Sequence, residues 1–247
     1  MMEPRFEGRV AIVTGAAGGI GAAIAARLHA EGAAIVIADL KVEAAQAAAT
    51  KLGPKSIGVS CDVGAEDQVE SCVRTALACF GRIDIIVNNA GLMPFKTLAE
   101  WSGDDWLKVL RVDLLGAAFF TKQAFLHFGD KGGAIVNIAS VHAIETSANA
   151  APYAAAKAAM LSLTRSTAIE GRGVKIRSNA VLPGAIDTQM LWNNPNVQSG
   201  AEVIDKKDVG TPEDIAAAAA FLASDESSSS RARRWQWTAG GWPSSDQ

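Results

Sequence analysis

Tyrosine occurs once in this chain of 247 residues, and cysteine and histidine occur three times each. Cys61, Cys72 and Cys79 form an odd set without metal-ligand spacing, so neither a disulfide framework nor a metal site is read from them. Cys72 and Cys79 stand seven apart and are expected to share the buried face of one helix, and unpaired thiols fit a reducing cytoplasm. Positive charge is not in excess: 23 Lys and Arg against 26 Asp and Glu leave a formal charge of −3, which gives no electrostatic footprint for nucleic acid. Long hydrophobic runs are also missing, because charge interrupts each of them, and neither a signal peptide nor a membrane-spanning helix is expected. No internal repeat is visible, and Ser227 to Ser230 is the only low-complexity tract.

What is present is an alternation. Short apolar runs at 9–14, 34–39, 56–60, 83–88, 134–139 and 174–181 read as strands. Amphipathic or alanine-rich stretches at 19–31, 41–52, 65–80, 103–128, 152–171 and 212–223 read as helices. Strand–helix alternation of this kind predicts an α/β fold: a doubly wound parallel sheet of Rossmann type with helices on both faces and right-handed crossovers. The length suits one domain over 1–247. Ligands of such a sheet bind beyond the carboxyl ends of the strands.

The first strand run leads into Thr14-Gly15-Ala16-Ala17-Gly18-Gly19-Ile20-Gly21. In that setting Gly15 makes the tight turn, Gly19 lets backbone approach a pyrophosphate, and Gly21 allows close packing of helix on strand. The helix that follows offers the phosphates unpaired N–H groups and a favourable dipole. Asp39 ends the second strand run, where a carboxylate hydrogen-bonds the adenosine ribose hydroxyls and repels a 2′-phosphate. The nearest cation is Lys41 and no arginine adjoins, so NAD is expected over NADP. A strand-end aspartate that caps the next helix is the plainer reading of the same residue.

The single tyrosine, Tyr153, stands four residues before Lys157, one helical turn away on the same face. A lysine ammonium beside a phenol favours the phenolate, so the tyrosine pKa is expected to fall from about 10. A tyrosine that exchanges a proton near neutral pH is what carbonyl–alcohol interconversion needs. Thirteen residues upstream, Ser140 closes the apolar run Ala134 to Ala139.

Together the glycine loop, Cys61-Asp62-Val63, Asn88-Asn89-Ala90-Gly91, Ser140, Tyr153, Lys157 and Pro183-Gly184-Ala185-Ile186-Asp187-Thr188 resemble the short-chain dehydrogenase/reductase family over residues 6 to about 226. The resemblance implies a nicotinamide-dependent alcohol dehydrogenase or ketoreductase. It gives Tyr153 the role of acid/base and makes Lys157 its partner and a ligand of the nicotinamide ribose, with Ser140 as the holder of the substrate oxygen. It sets Ile20, Leu40, Asp62, Val63, Asn89, Ala90 and Gly91 along the cofactor, with Pro183, Gly184, Ile186 and Thr188 around the nicotinamide. Asn88 takes a mainly structural part. Association through the helices at 103–128 and 152–171 gives at least a dimer, and a tetramer if an interface made by the final strand survives.

Two departures from the family pattern stand out. Where relatives carry an asparagine that holds a water in a proton relay to the lysine, this chain has Asp113. Activity is expected to survive with an altered pH profile; a purely structural replacement is the alternative. The tail over 227–247 also departs, with Arg231-Ala232-Arg233-Arg234-Trp235-Gln236-Trp237 where the family continues with Thr-Gly, an apolar strand and Asp-Gly-Gly. Because tryptophan has one codon, Trp235-Gln236 and Trp237-Thr238 force alanine and aspartate when read one base earlier, and one allowed codon choice turns the whole of Arg231 to Gly241 into TGAAMAVDGGW, so a local frame shift is expected; a genuinely divergent tail is the alternative.

The substrate pocket is expected near Met93, Phe95, His142, Glu145, Ala148, Leu191 and Trp192, under a short polar lid at 189–209. That lid argues for a compact secondary alcohol, polyol, sugar or cyclic ketone. Ser140-Val141-His142 and Pro183 to Ile186 are also similar to bacterial glucose dehydrogenases of the family. The competing functions are a nucleotide-binding sensor or scaffold without catalysis, and a protein inactivated by its altered ending.

Overall fold

A computed structural model describes residues 4–229 and the strand at 234–237. In chain order the elements are β1 (Val10–Thr14), α1 (Gly19–Ala30), β2 (Ala34–Asp39), α2 (Val42–Leu52), β3 (Ser56–Ser60), α3 (Glu66–Phe80) and β4 (Ile85–Asn88). Then come α4 (Gly103–Leu110), a π-helical turn (Arg111–Leu115), α5 (Gly116–His127), β5 (Gly133–Ile138), α6 (Ala151–Glu170) and β6 (Ile176–Pro183). The last are α7 (Gln189–Trp192), α8 (Pro195–Gln198), α9 (Pro212–Ala223) and β7 (Arg234–Trp237). The strands form one parallel sheet in the order β3-β2-β1-β4-β5-β6-β7.

The strands are apolar on both sides because helices cover both faces. Alternate residues of each strand point to opposite faces. Ala11 and Val13 of β1, with Ile35, Ile37, Ile85 and Val87, meet Ile24 and Leu28 of α1 and Ile215 and Ala219 of α9. Ile12, Val36, Ile86 and Ile135 meet Val69 and Val73 of α3 and Phe120 of α5 on the other face. Arg177 of β6 is buried and donates to the carbonyls of Leu222, Ala223 and Ser224 and to Ser227 Oγ, so its guanidinium satisfies the carbonyls that α9 leaves open at its end.

Three expectations are revised. The stretch 103–128 is not one α-helix: the π-helical turn at 111–115 interrupts it, adding a residue to one turn. Cys79 is exposed while Cys72 is buried. The buried stripe of α3 centres on Val69, Val73 and Ala76, and a seven-residue step falls about 20° short of two turns, which carries Cys79 off its margin. A seventh strand, β7, pairs with β6 from Ala180↔Arg234 to Pro183↔Trp237. The rest of the altered ending, 230–233 and 238–247, lies outside the described residues.

Candidate active site

Strand order reverses at β1, which has β2 on one side and β4 on the other. The carboxyl ends of these strands, with those of β5 and β6, open into a cleft of about 590 Å³. Its wall includes Gly15, Gly19, Ile20, Asp39, Leu40, Asp62, Val63, Asn89, Ala90 and Gly91 on one side. Ser140, His142, Tyr153, Lys157, Pro183, Gly184, Ile186 and Thr188 line the other. Residues spread over the whole sequence thus meet in one place.

The glycine loop is held by β4 and the residues after it. Thr14 Oγ1 accepts the N–H groups of Asn89 and Ala90, each at 2.9 Å, and the Asn89 amide donates to the carbonyls of Thr14 (2.9 Å) and Gly15 (3.2 Å). Asn89 therefore fixes the loop as well as lining the cleft. At Gly21 a Cβ would lie 2.5 Å from Asn89 Nδ2 and from the Gly15 carbonyl, so no larger residue fits. Helix α1 begins without a side-chain cap and without an acidic residue in its first turn, leaving its first N–H groups for a phosphate. Asp39 accepts the Ala17 N–H at 3.1 Å, which joins the strand-end carboxylate to the loop. Asp62 accepts the Gly64 N–H at 2.9 Å, a turn bond made by a residue that also faces the cleft. Uncapped helix, small loop and strand-end carboxylate fit a dinucleotide.

The other end of the cleft is built from β5, α6 and the π-helical turn. Ser140 follows β5 in extended backbone and accepts the His142 N–H at 3.2 Å. Helix α6 carries Tyr153 and Lys157, both buried. Lys157 Nζ donates to the Ile138 carbonyl at 3.1 Å, lies 3.3 Å from Asp113 Oδ1, and sits 5.5 Å from the centre of the Tyr153 ring. Asp113 is fully buried on the π-helical turn, and its Oδ2 accepts the Leu92 N–H at 3.1 Å. Gly91 makes room for it: a Cβ there would lie 2.7 Å from Asp113 Oδ1.

Burial sets the electrostatics here. It pushes the Tyr153 phenol above its usual range; Lys157 and the Ser140 hydroxyl pull it down, and Asp113 pushes it up. The expected net fall is therefore corrected: the lysine acts in the expected direction, but a buried phenol next to a second, negative charge ends higher. Burial likewise raises Asp113, opposed by Lys157 and the Leu92 N–H. His142 packs edge-on against Tyr153, with ring centres 5.6 Å apart, and burial lowers its pKa to about 4, so it is neutral at physiological pH.

The pocket differs in part from expectation. Met93, His142 and Leu191 line the cleft, whereas Phe95, Glu145, Ala148 and Trp192 are not part of its wall. The Trp192 indole donates instead to Asp187 at 2.7 Å, which draws the ring onto the start of the lid. Sequence reasoning missed Met190, Asn194, Glu202 and Ile204, which the lid brings to the wall. Glu202 is the only charged residue between 189 and 204, and that isolation was the available signal. Thr188 caps α7 and donates to the Ile186 carbonyl at 3.2 Å. Backbone bonds from Asp187 N to Gly210 O and from Gly210 N to Ala185 O close the lid at its base.

Residues 15–235 match a family model described as Enoyl-(Acyl carrier protein) reductase. The chain belongs to the short-chain dehydrogenase/reductase family. It is 41% identical over 235 residues to a cis-4-hydroxycyclohexanecarboxylate dehydrogenase of Sinomonas cyclohexanicum, covering 92% of this chain and 94% of the relative. To a meso-2,3-butanediol dehydrogenase of Serratia marcescens it is 39% identical over 228 residues, covering 91% and 90%. The crystal structure of a 3-ketoacyl-(acyl-carrier-protein) reductase from Brucella melitensis complexed with NADH superposes with a TM-score of 0.88 at 32% identity, covering 95% of this chain and 98% of that one. Members of this oxidoreductase family thus share both the fold and nearly the full length. Among the described residues no helix is long and apolar enough to cross a membrane, and no cluster of side chains could hold a metal ion.

Proposed function

We propose that this protein is an NAD-dependent oxidoreductase that interconverts a compact secondary alcohol and its ketone, with Tyr153 as the acid/base. The observation that carries the reading is the convergence of Ser140, Tyr153 and Lys157 on one end of a cleft whose other end holds Asp39. The two relatives named above are dehydrogenases of cis-4-hydroxycyclohexanecarboxylate and meso-2,3-butanediol, both compact secondary alcohols. A crystal structure of the same fold is complexed with NADH. The three unpaired thiols agree with a cytoplasmic location.

When bound, the nicotinamide takes up or supplies the hydride. Asp39 would hold the adenosine ribose hydroxyls, and the uncapped start of α1 the pyrophosphate. Pro183, Gly184, Ile186 and Thr188 would bound the nicotinamide. Ser140 Oγ holds the substrate oxygen and stabilises the charge that develops on it. In oxidation the Tyr153 phenolate takes the hydroxyl proton; in reduction the phenol returns it. Lys157 stabilises that phenolate against the cost of burial.

Tyr153→Phe tests the assignment. The variant keeps the ring and its packing but has no proton to exchange, a loss that typically costs about 10² to 10⁴ in rate. NADH affinity, read by fluorescence titration, should stay within a few-fold, because the phenol holds neither adenosine nor pyrophosphate. A variant that kept more than about a tenth of the wild-type rate would remove Tyr153 from the role. Binding of NADH without turnover of any alcohol or ketone by the unmodified protein would favour a nucleotide sensor.

A further inference from the structure

The charges along the cleft are unevenly distributed. Asp39 and Asp62 serve the dinucleotide end, and Lys157, the one cation on the wall among the described residues, faces Asp113. Apart from these, the cleft wall carries a single formal charge among the described residues, the Glu202 carboxylate, and Met93, Met190, Leu191 and Ile204 line the same cleft.

Glu202 is held in position by two asparagines that the lid buries. Asn194 and Asn196 are 5% and 8% exposed. The Glu202 N–H donates to the Asn196 carbonyl at 2.9 Å, and Asn194 Nδ2 donates to Glu202 Oε2 at 3.4 Å. Asn194 Oδ1 accepts the Asn196 N–H at 2.9 Å. Asn196 in turn donates to the Ala148 carbonyl at 3.0 Å and accepts from the Asn149 amide at 3.4 Å. Residues 148 and 149 lead directly into α6, whose third residue is Tyr153. The network thus ties the carboxylate to the segment that carries the acid/base, not to the glycine loop. A carboxylate has about four acceptor sites, so the bond from Asn194 leaves capacity for a ligand.

We infer that Glu202 sets substrate specificity: its carboxylate accepts a hydrogen bond from a second hydroxyl of a neutral diol or polyol and repels substrates that carry a carboxylate or phosphate near the reacting carbinol. This rests on the oxidoreductase reading above and narrows its substrate class. The hydroxy acid for which the 41% identical relative is named carries the charge that this inference disfavours here. Like charges brought close together across a binding site disfavour binding, whereas a neutral hydroxyl does not meet that repulsion.

The test measures kcat/KM with NAD for cis-4-hydroxycyclohexanecarboxylate, its neutral methyl ester and meso-butane-2,3-diol, in the unmodified protein and in Glu202→Gln. The unmodified protein should favour the ester over the acid by about tenfold or more, equivalent to about 1.4 kcal/mol. Glu202→Gln should bring that ratio down by about tenfold and lower the efficiency with the diol several-fold, since an amide is the weaker acceptor. Equal efficiency with acid and ester in the unmodified protein overturns the inference without any variant. So does an unchanged ratio in Glu202→Gln. Turnover that ignores charge leaves the oxidoreductase reading standing, whereas no turnover of any alcohol overturns that reading and this inference with it.

Discussion

Replacing Asp113 by asparagine isolates one charge in a buried site. The side chains are nearly the same size, and the asparagine carbonyl can still accept the Leu92 N–H that Asp113 accepts now. What changes is the field at Tyr153, which Asp113 opposes and Lys157 favours in the phenolate form. Lys157 Nζ lies 3.3 Å from Asp113 Oδ1 and 5.5 Å from the centre of the tyrosine ring. The carboxylate is therefore within roughly 9 Å of the ring, where two unit charges interact by about 2 kcal/mol at an effective dielectric constant of about 20. Removing the carboxylate therefore lowers the Tyr153 pKa. In the mechanism proposed above the phenolate is the competent form for alcohol oxidation, so a lower tyrosine pKa moves the rising limb of the kcat/KM profile to lower pH. Asp113→Asn should shift that limb to lower pH, read from NADH absorbance with meso-butane-2,3-diol over about pH 5 to 10. In the reducing direction the acid form is required, and the falling limb should shift down with it. A limb that stays in place, or moves up, would show that Asp113 does not act on Tyr153 through its charge.

Two further outcomes are expected. NAD should be preferred over NADP by at least about tenfold, or about 1.4 kcal/mol; Asp39→Ser with Leu40→Arg should invert the preference, and equal efficiency of the unmodified protein with both would refute the role of Asp39. The protein should form at least a dimer through the faces of α4–α5 and α6, with any tetramer weaker than that of a chain ending in TGAAMAVDGGW, because arginine at a closed interface costs several kcal/mol. Light scattering on both chains checks this, and a tetramer of the present chain as stable as that of the restored one would refute it.

Much of this site was legible in the sequence because its parts sit at strand ends, and strand ends are visible as the points where apolar runs stop. Gly15, Asp39, Asp62, Asn89, Ser140 and Pro183 each follow or close such a run, and all line the cleft. Tyr153 and Lys157 were legible for a different reason: a four-residue step on a helix fixes their common face. What was not legible depends on backbone irregularity or on burial. Nothing in Arg111 to Leu115 signals the extra residue that turns Asp113 toward Lys157. The direction of the Tyr153 shift follows from how completely the ring is enclosed, which no spacing reveals. Glu202 reaches the wall only through the path of the lid, set by asparagine bonds to residues about fifty positions upstream.

Beneath the site, a file of polar side chains crosses the sheet. Asn88 Nδ2 donates to Asn137 Oδ1 at 2.8 Å, Asn137 Nδ2 to Thr164 Oγ1 at 2.8 Å, and Thr164 Oγ1 to the Met160 carbonyl at 2.8 Å. Every donor in this file points the same way, from β4 through β5 into α6. Apolar contacts position α6 through shape alone, whereas hydrogen bonds also fix which atoms must meet. A slip of even one position would strand buried amides at about 1 to 3 kcal/mol each. The file works as an index pin: it sets the azimuth of the helix that carries Tyr153 and Lys157, so the proposed acid/base is aimed from the sheet below.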